Sequence, residues 1–111
     1  MKEYKGIVAD SQETCFGYTL SIINGKWKLL IIFYLSKYET IRYNELQRMI
    51  GKITYKTLSS TLKEMESDGL IHREEYHQIP PKVEYSITEK GKSLWPIIQG
   101  MCKWGAKYKQ K

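Results

Sequence analysis

A chain of 111 residues, 41% of them hydrophobic, is the size of one domain with one modest core, and its formal charge of +6 favours a polyanionic partner such as nucleic acid or an anionic membrane. Two cysteines, Cys15 and Cys102, are too few for a disulfide-stapled secreted domain, and the longest apolar run, Leu29 to Leu35, falls short of the roughly 20 residues a membrane helix needs. No basic stretch followed by an apolar run opens the chain, which predicts no signal peptide, a cytoplasmic location and reduced thiols.

Residues 1–14 are polar and mixed and read as a flexible or docking arm. A short helix is predicted from Phe16 to Ile23, ended by an Asn24-Gly25 turn. A second helix is expected from Lys26 to Ser36, with Trp27, Leu30, Ile31, Tyr34 and Leu35 inward at helical spacing. Thr40 to Arg42 reads as a short extended piece. A third helix follows from Tyr43 to Met49 or Ile50, and Gly51 stands where a left-handed stop belongs. Thr54 is a good N-cap for a fourth helix reaching Asp68, in which Leu58, Leu62 and Met65 share one face; Gly69 ends it.

The pattern then changes to a period of two. His72–Tyr76 and Lys82–Ile87 read as the strands of a hairpin whose tip, His77 to Pro81, is stiffened by two prolines. Arg73 and Glu84 are expected to pair across it, with DNA contact the second role for Arg73. Thr88 caps a last helix from Glu89 to Lys107, expected to kink at Pro96.

Two helices joined by a glycine turn and followed by a hairpin form the plan of a winged helix-turn-helix, an α+β fold that is mainly α. The single domain is read as residues 40–87 for the helix-turn-helix and wing, with residues 88–108 as an added C-terminal dimerisation helix and the short N-terminal helix as a second dimerisation element. The major groove of DNA, about 12 Å wide, admits one helix, and the segment from Thr54 to Asp68 is roughly 22 Å long. Its apolar stripe must face the bracing helix. The opposite stripe, Tyr55, Lys56, Thr57, Ser59, Ser60 and Lys63, is then left for base edges and phosphates, and Thr54 stands at the helix N-terminus, an anion-binding position. Arg42, His77, Gln78 and Lys82 complete the expected DNA contacts, with the hairpin tip on the backbone or in the minor groove. A solvated polar face is the plainer reading of the same stripe.

Several segments resemble the HxlR-type family of bacterial regulators, a MarR-related branch of the winged-helix proteins. They are Asn24-Gly25-Lys26-Trp27, Arg42-Tyr43-Asn44-Glu45-Leu46, Gly51-Lys52-Ile53-Thr54, Asp68-Gly69-Leu70-Ile71-His72-Arg73, the run from Pro80 to Gly91, and Trp104-Gly105. The resemblance implies a homodimer on a roughly palindromic operator in double-stranded DNA, with the helix from Thr54 as recognition helix and Lys82 in the wing. It gives neither operator nor regulated gene. Members include activators and repressors, and repression is the expectation. Members often carry serine where Thr54 stands and phenylalanine where Tyr43 stands, so the Tyr43 hydroxyl reaches either a phosphate or a solvent edge.

The dimer seam is expected on the last helix, where Leu94, Ile97, Met101, Trp104 and Tyr108 recur at spacings of three or four; coverage of the protomer's own core is the competing role. Cys15 matches the position of a cysteine that some family members use to sense oxidants or electrophiles, and a buried structural thiol is the alternative. Packing is the expected role of Trp95 and Cys102. No paired carboxylates, nucleophile motif, phosphate-binding glycine loop or metal-ligand spacing is present, so no catalytic residue, cofactor, metal or small-molecule effector is assigned. The competing function is a winged-helix module that binds protein rather than DNA.

Overall fold

A computed structural model describes residues 14–109, so the N-terminal arm, except for Thr14, lies outside the described residues. The elements run α1 (Cys15–Ile23), α2 (Lys28–Lys37), β1 (Ile41–Arg42), α3 (Tyr43–Ile50), α4 (Tyr55–Ser67), β2 (Ile71–Tyr76), β3 (Lys82–Ile87), α5 (Glu89–Lys92) and α6 (Trp95–Tyr108). The strands form an antiparallel sheet in the order β1-β3-β2, in which Ile41 pairs with Tyr85 and Ile71 with Ile87. A mainly helical chain closed by this small sheet is the winged helix-turn-helix expected from the residue pattern.

Short polar side chains set the helix starts. Thr14, Thr54 and Thr88 each accept a hydrogen bond from the backbone N–H three residues on, at 2.8, 3.1 and 3.1 Å. The Glu45 carboxylate reaches back to accept from the Arg42 N–H at 3.1 Å, fixing the start of α3. Gly51 and Gly69, at φ +87° and +78°, end α3 and the α4 turn in a backbone region that side-chain-bearing residues rarely adopt.

The core joins α2, α3, α4 and the sheet through Ile31, Ile32, Leu35, Leu46, Leu58, Leu62, Met65 and Leu70, all essentially sealed from solvent. Each such side chain contributes roughly 1.5–3 kcal/mol of burial. Burying Leu58, Leu62 and Met65 fixes the rotation of α4 about its axis and so decides which side chains it shows to solvent.

Four sequence expectations need correction. The second helix begins two residues later than predicted, because Lys26 and Trp27 complete the turn after Gly25. Its buried residues are Lys28, Ile31, Ile32 and Leu35, with Trp27 and Tyr34 partly buried against the same core, whereas the expected face had Leu30 in place of Lys28 and Ile32. The helix is apolar almost all round, so spacing cannot choose the face. Lys28, only 7% exposed, is held by Glu64 of α4 at 2.7 Å.

The expected long helix from Glu89 is two helices. α5 stops at Lys92 and α6 restarts at Trp95, so Pro96 lies in a first turn, where a missing N–H costs no intrahelical bond, instead of kinking a helix interior. Lastly, Arg73 and Glu84 do not pair. The register sets Arg73 opposite Tyr85 and Glu84 opposite Glu74, so the two charges point to opposite faces of the hairpin; Arg73 pairs with Glu75 at 3.1 Å and Glu84 with Lys82 at 3.5 Å.

Candidate nucleic-acid interface

With its apolar stripe sealed, α4 presents Tyr55, Lys56, Ser59, Ser60 and Lys63 to solvent, and Thr57 is half-buried beside them. The hydroxyls are also organised internally. Thr54 caps the helix and donates to Thr57 Oγ1 at 3.0 Å, and Ser60 donates to the Thr57 carbonyl at 3.1 Å. The Tyr43 hydroxyl, expected at a phosphate or a solvent edge, instead lies 2.8 Å from Ser59 Oγ and donates to the Tyr55 carbonyl at 3.1 Å. Its ring stacks on Tyr55 with centroids 5.9 Å apart. Tyr43 thus locks α3 to the first two turns of α4, which stiffens the exposed face.

His77 and Gln78 are exposed at the hairpin tip, together with Ile79, which is fully exposed. Sequence reasoning did not single out Ile79, although an isoleucine between His-Gln and Pro-Pro in a polar turn was a readable signal. Lys82 is less free than expected. Its ammonium lies 4.4 Å from the centroid of the Tyr76 ring and 3.5 Å from Glu84.

Between α3–α4 and the wing runs an open trough of about 1040 Å³. Its walls gather Arg42, Ser59, Lys63 and Lys82 from the predicted set, and add Arg48 and Arg73. Five basic side chains line it, Arg42, Arg48, Lys63, Arg73 and Lys82, against two carboxylates, Glu45 and Glu66. At its floor, burial raises the Tyr85 phenol above its ordinary pKa, while the hydrogen bond and charge of Arg73 pull the other way. The phenol stays protonated at neutral pH. Arg48 was missed because it lies on a short helix whose exposed face carries no motif; Arg73 was given a cross-strand partner that the register denies it.

The predicted seam residues divide. Leu94 is buried in the protomer's own core, with Ile98, whereas Ile97, Met101, Trp104 and Tyr108 form an exposed apolar stripe along α6. Trp104 is 68% exposed and packs on Tyr108, ring centroids 5.0 Å apart. Phe16 and Tyr18 of α1 are also exposed. Trp95 stacks on Phe33 at 6.1 Å. Cys15 and Cys102 are both exposed thiols, so the buried-thiol alternative for Cys15 does not hold in the protomer. Cys15 is the first residue of α1. Among the described residues no helix is long and apolar enough to cross a membrane.

Comparison with known proteins agrees with this geometry. The family model described as HxlR-like helix-turn-helix matches residues 22–111. An HTH-type transcriptional regulator of Halalkalibacterium halodurans, BH0655, is 60% identical over 107 residues, covering 96% of this chain and 95% of that protein. The solved structure of the HTH-type regulator ytcD, described as putative, is 42% identical and superposes with a TM-score of 0.81, covering 86% of this chain and 96% of that one. The redox regulator HypR in its oxidized form is 44% identical with a TM-score of 0.77, covering 85% and 96%. A capped helix with a polar outer face, a basic trough and a wing, on a chain so similar to regulators over nearly its full length, leads to one conclusion: the chain belongs to the HxlR-like helix-turn-helix family and is a transcriptional regulator of the helix-turn-helix type.

Proposed function

We propose that the chain acts in the cytoplasm as a homodimer that binds a roughly palindromic operator and represses transcription, with Cys15 as an oxidant- or electrophile-responsive thiol. The observation that carries the reading is the orientation of α4: its leucines are sealed inside while Tyr55, Lys56, Ser59, Ser60 and Lys63 face outward beside a basic trough. In this reading residues 40–87 bind the duplex and residues 88–108 join the protomers. The exposed stripe of α6 supports the second assignment, since a contiguous apolar patch of this kind marks an interaction surface. Two copies would address half-sites about 34–36 Å apart.

The test is affinity against salt, measured by fluorescence anisotropy on a duplex from upstream of the chain's own coding sequence. A dimer contacting about six phosphates loses on the order of 1000-fold in affinity between 50 and 200 mM salt. Binding that is absent or indifferent to salt would favour the protein-binding module instead.

Thiol sensing is supported by the exposure of Cys15 and by the likeness to HypR, a redox regulator. Diamide is expected to change operator affinity of the wild type by about 5- to 150-fold, the range of ordinary coupling energies. Cys15→Ser should abolish the response, and an equal response in both proteins would remove Cys15 from the mechanism.

A further inference from the structure

Strand parity separates the two wing cations. Arg73 lies directly opposite Tyr85, whose buried ring marks the inner face of the hairpin, towards α3 and α4. Lys82 lies opposite Tyr76 on the alternate parity and borders the trough, but its ammonium is held by the Tyr76 ring and Glu84. The Arg73 side chain stands beside Tyr85, its cross-strand partner, and its guanidinium sits 3.1 Å from Glu75 Oε1. Two anchors of different strands thus hold it over the trough, while 39% of its side chain remains open to solvent.

We propose that Arg73, with Arg48 and Lys63 on the opposite wall, grips the sugar–phosphate strand of the bound duplex as it passes between α4 and the wing. The assignment rests on the DNA-binding reading above. Its geometry follows from the duplex itself. The major and minor grooves are separated by one backbone strand, so a protein that places a helix in one and a hairpin tip at the other straddles that strand. The concavity between helix and hairpin is the trough, and its surplus of basic over acidic side chains matches a phosphate chain.

A guanidinium suits the task better than an ammonium. It has five N–H donors in a plane, so it can keep its place beside Tyr85 and still offer a fork to phosphate oxygens. The Arg73–Glu75 pair is half-exposed on both sides, and such pairs are weak, so exchange of the carboxylate for a phosphate is cheap. Because the backbone is the same whatever the bases, Arg73 sets affinity and register rather than sequence choice.

The experiment measures affinity as a function of salt for wild type, Arg73→Gln and Arg73→Lys, on the upstream duplex and on a random duplex of equal length, with thermal melts alongside. For Arg73→Gln the slope of log affinity against log salt is expected to shrink by about 1.8, or 0.9 for each copy in a dimer, which amounts to about 30-fold weaker binding at 150 mM salt on both duplexes. Arg73→Lys keeps the charge and should keep the slope, while losing the fork and roughly threefold in affinity. An unchanged slope in a folded Arg73→Gln protein would overturn the proposal, leaving Arg73 as a brace for the wing. If Arg73→Gln does not fold, wild-type affinity in Arg73→Lys would overturn it equally. Failure of the wild type to bind either duplex would instead overturn the DNA-binding reading itself.

Discussion

Replacing Trp104 by aspartate is expected to turn the proposed homodimer into monomers and to weaken operator binding by at least about 100-fold. Ile97, Met101, Trp104 and Tyr108 recur every three or four residues, so they form one stripe, which is exposed among the described residues. Trp104 is the largest side chain on it and 68% exposed. A buried tryptophan covers about 150–250 Å², and at roughly 25 cal/mol per Å² each copy would contribute several kcal/mol to a dimer. Aspartate removes that area and sets two like charges in a desolvated seam. Because Trp104 is mostly exposed and its ring packs on Tyr108 of the same stripe, the helical circular dichroism should survive. Two linked half-sites bind roughly 100- to 10,000-fold more tightly than one, so losing the pair loses that factor. Light scattering reads the mass and anisotropy the affinity; an unchanged dimer mass would place the seam elsewhere.

Gly91→Ala is expected to destabilise the chain by about 3 kcal/mol, near the upper end for forced overpacking, and to lower Tm by on the order of 10–20 °C. Gly91 is buried in α5, where an added Cβ would overlap the Leu70 carbonyl oxygen and come within 2.6 Å of Ile87 Cγ1. The first obstacle is backbone and cannot rotate away. The Leu70 carbonyl also accepts from the Thr88 N–H at 3.1 Å and its hydroxyl at 2.9 Å, so moving it disturbs the cap of the same helix. The strain would reach α6, and with it the proposed dimer seam. Gly100→Ala is the control: its Cβ would meet nothing within 4 Å, and alanine in a helix is favoured by up to about 1 kcal/mol. Equal melting temperatures for Gly91→Ala and the wild type would show that α5 is free to move off the sheet.

Local rules made much of this molecule readable in one dimension. Threonine caps before helices, glycines where φ must be positive, and the change from helical to alternating apolar spacing near Ile71 are short-range signals, and they determined the order of elements, the winged helix-turn-helix and the inward face of α4. Face choice failed where composition carried no contrast: α2 is apolar nearly all round, and only packing against α4 decided that Lys28 turns inward to Glu64. Pro96 announces an irregularity, but whether it kinks one helix or opens a second depends on the close seat of α5 against Leu70 and Ile87. The wing shows the same division. Alternation identified its strands, yet the register, set by how β3 lies between β1 and β2, decided that Arg73 joins Tyr85 over the trough while Lys82 turns to Tyr76. Periodicity tells which residues share a face; which face meets what is a long-range property, fixed only when the elements pack.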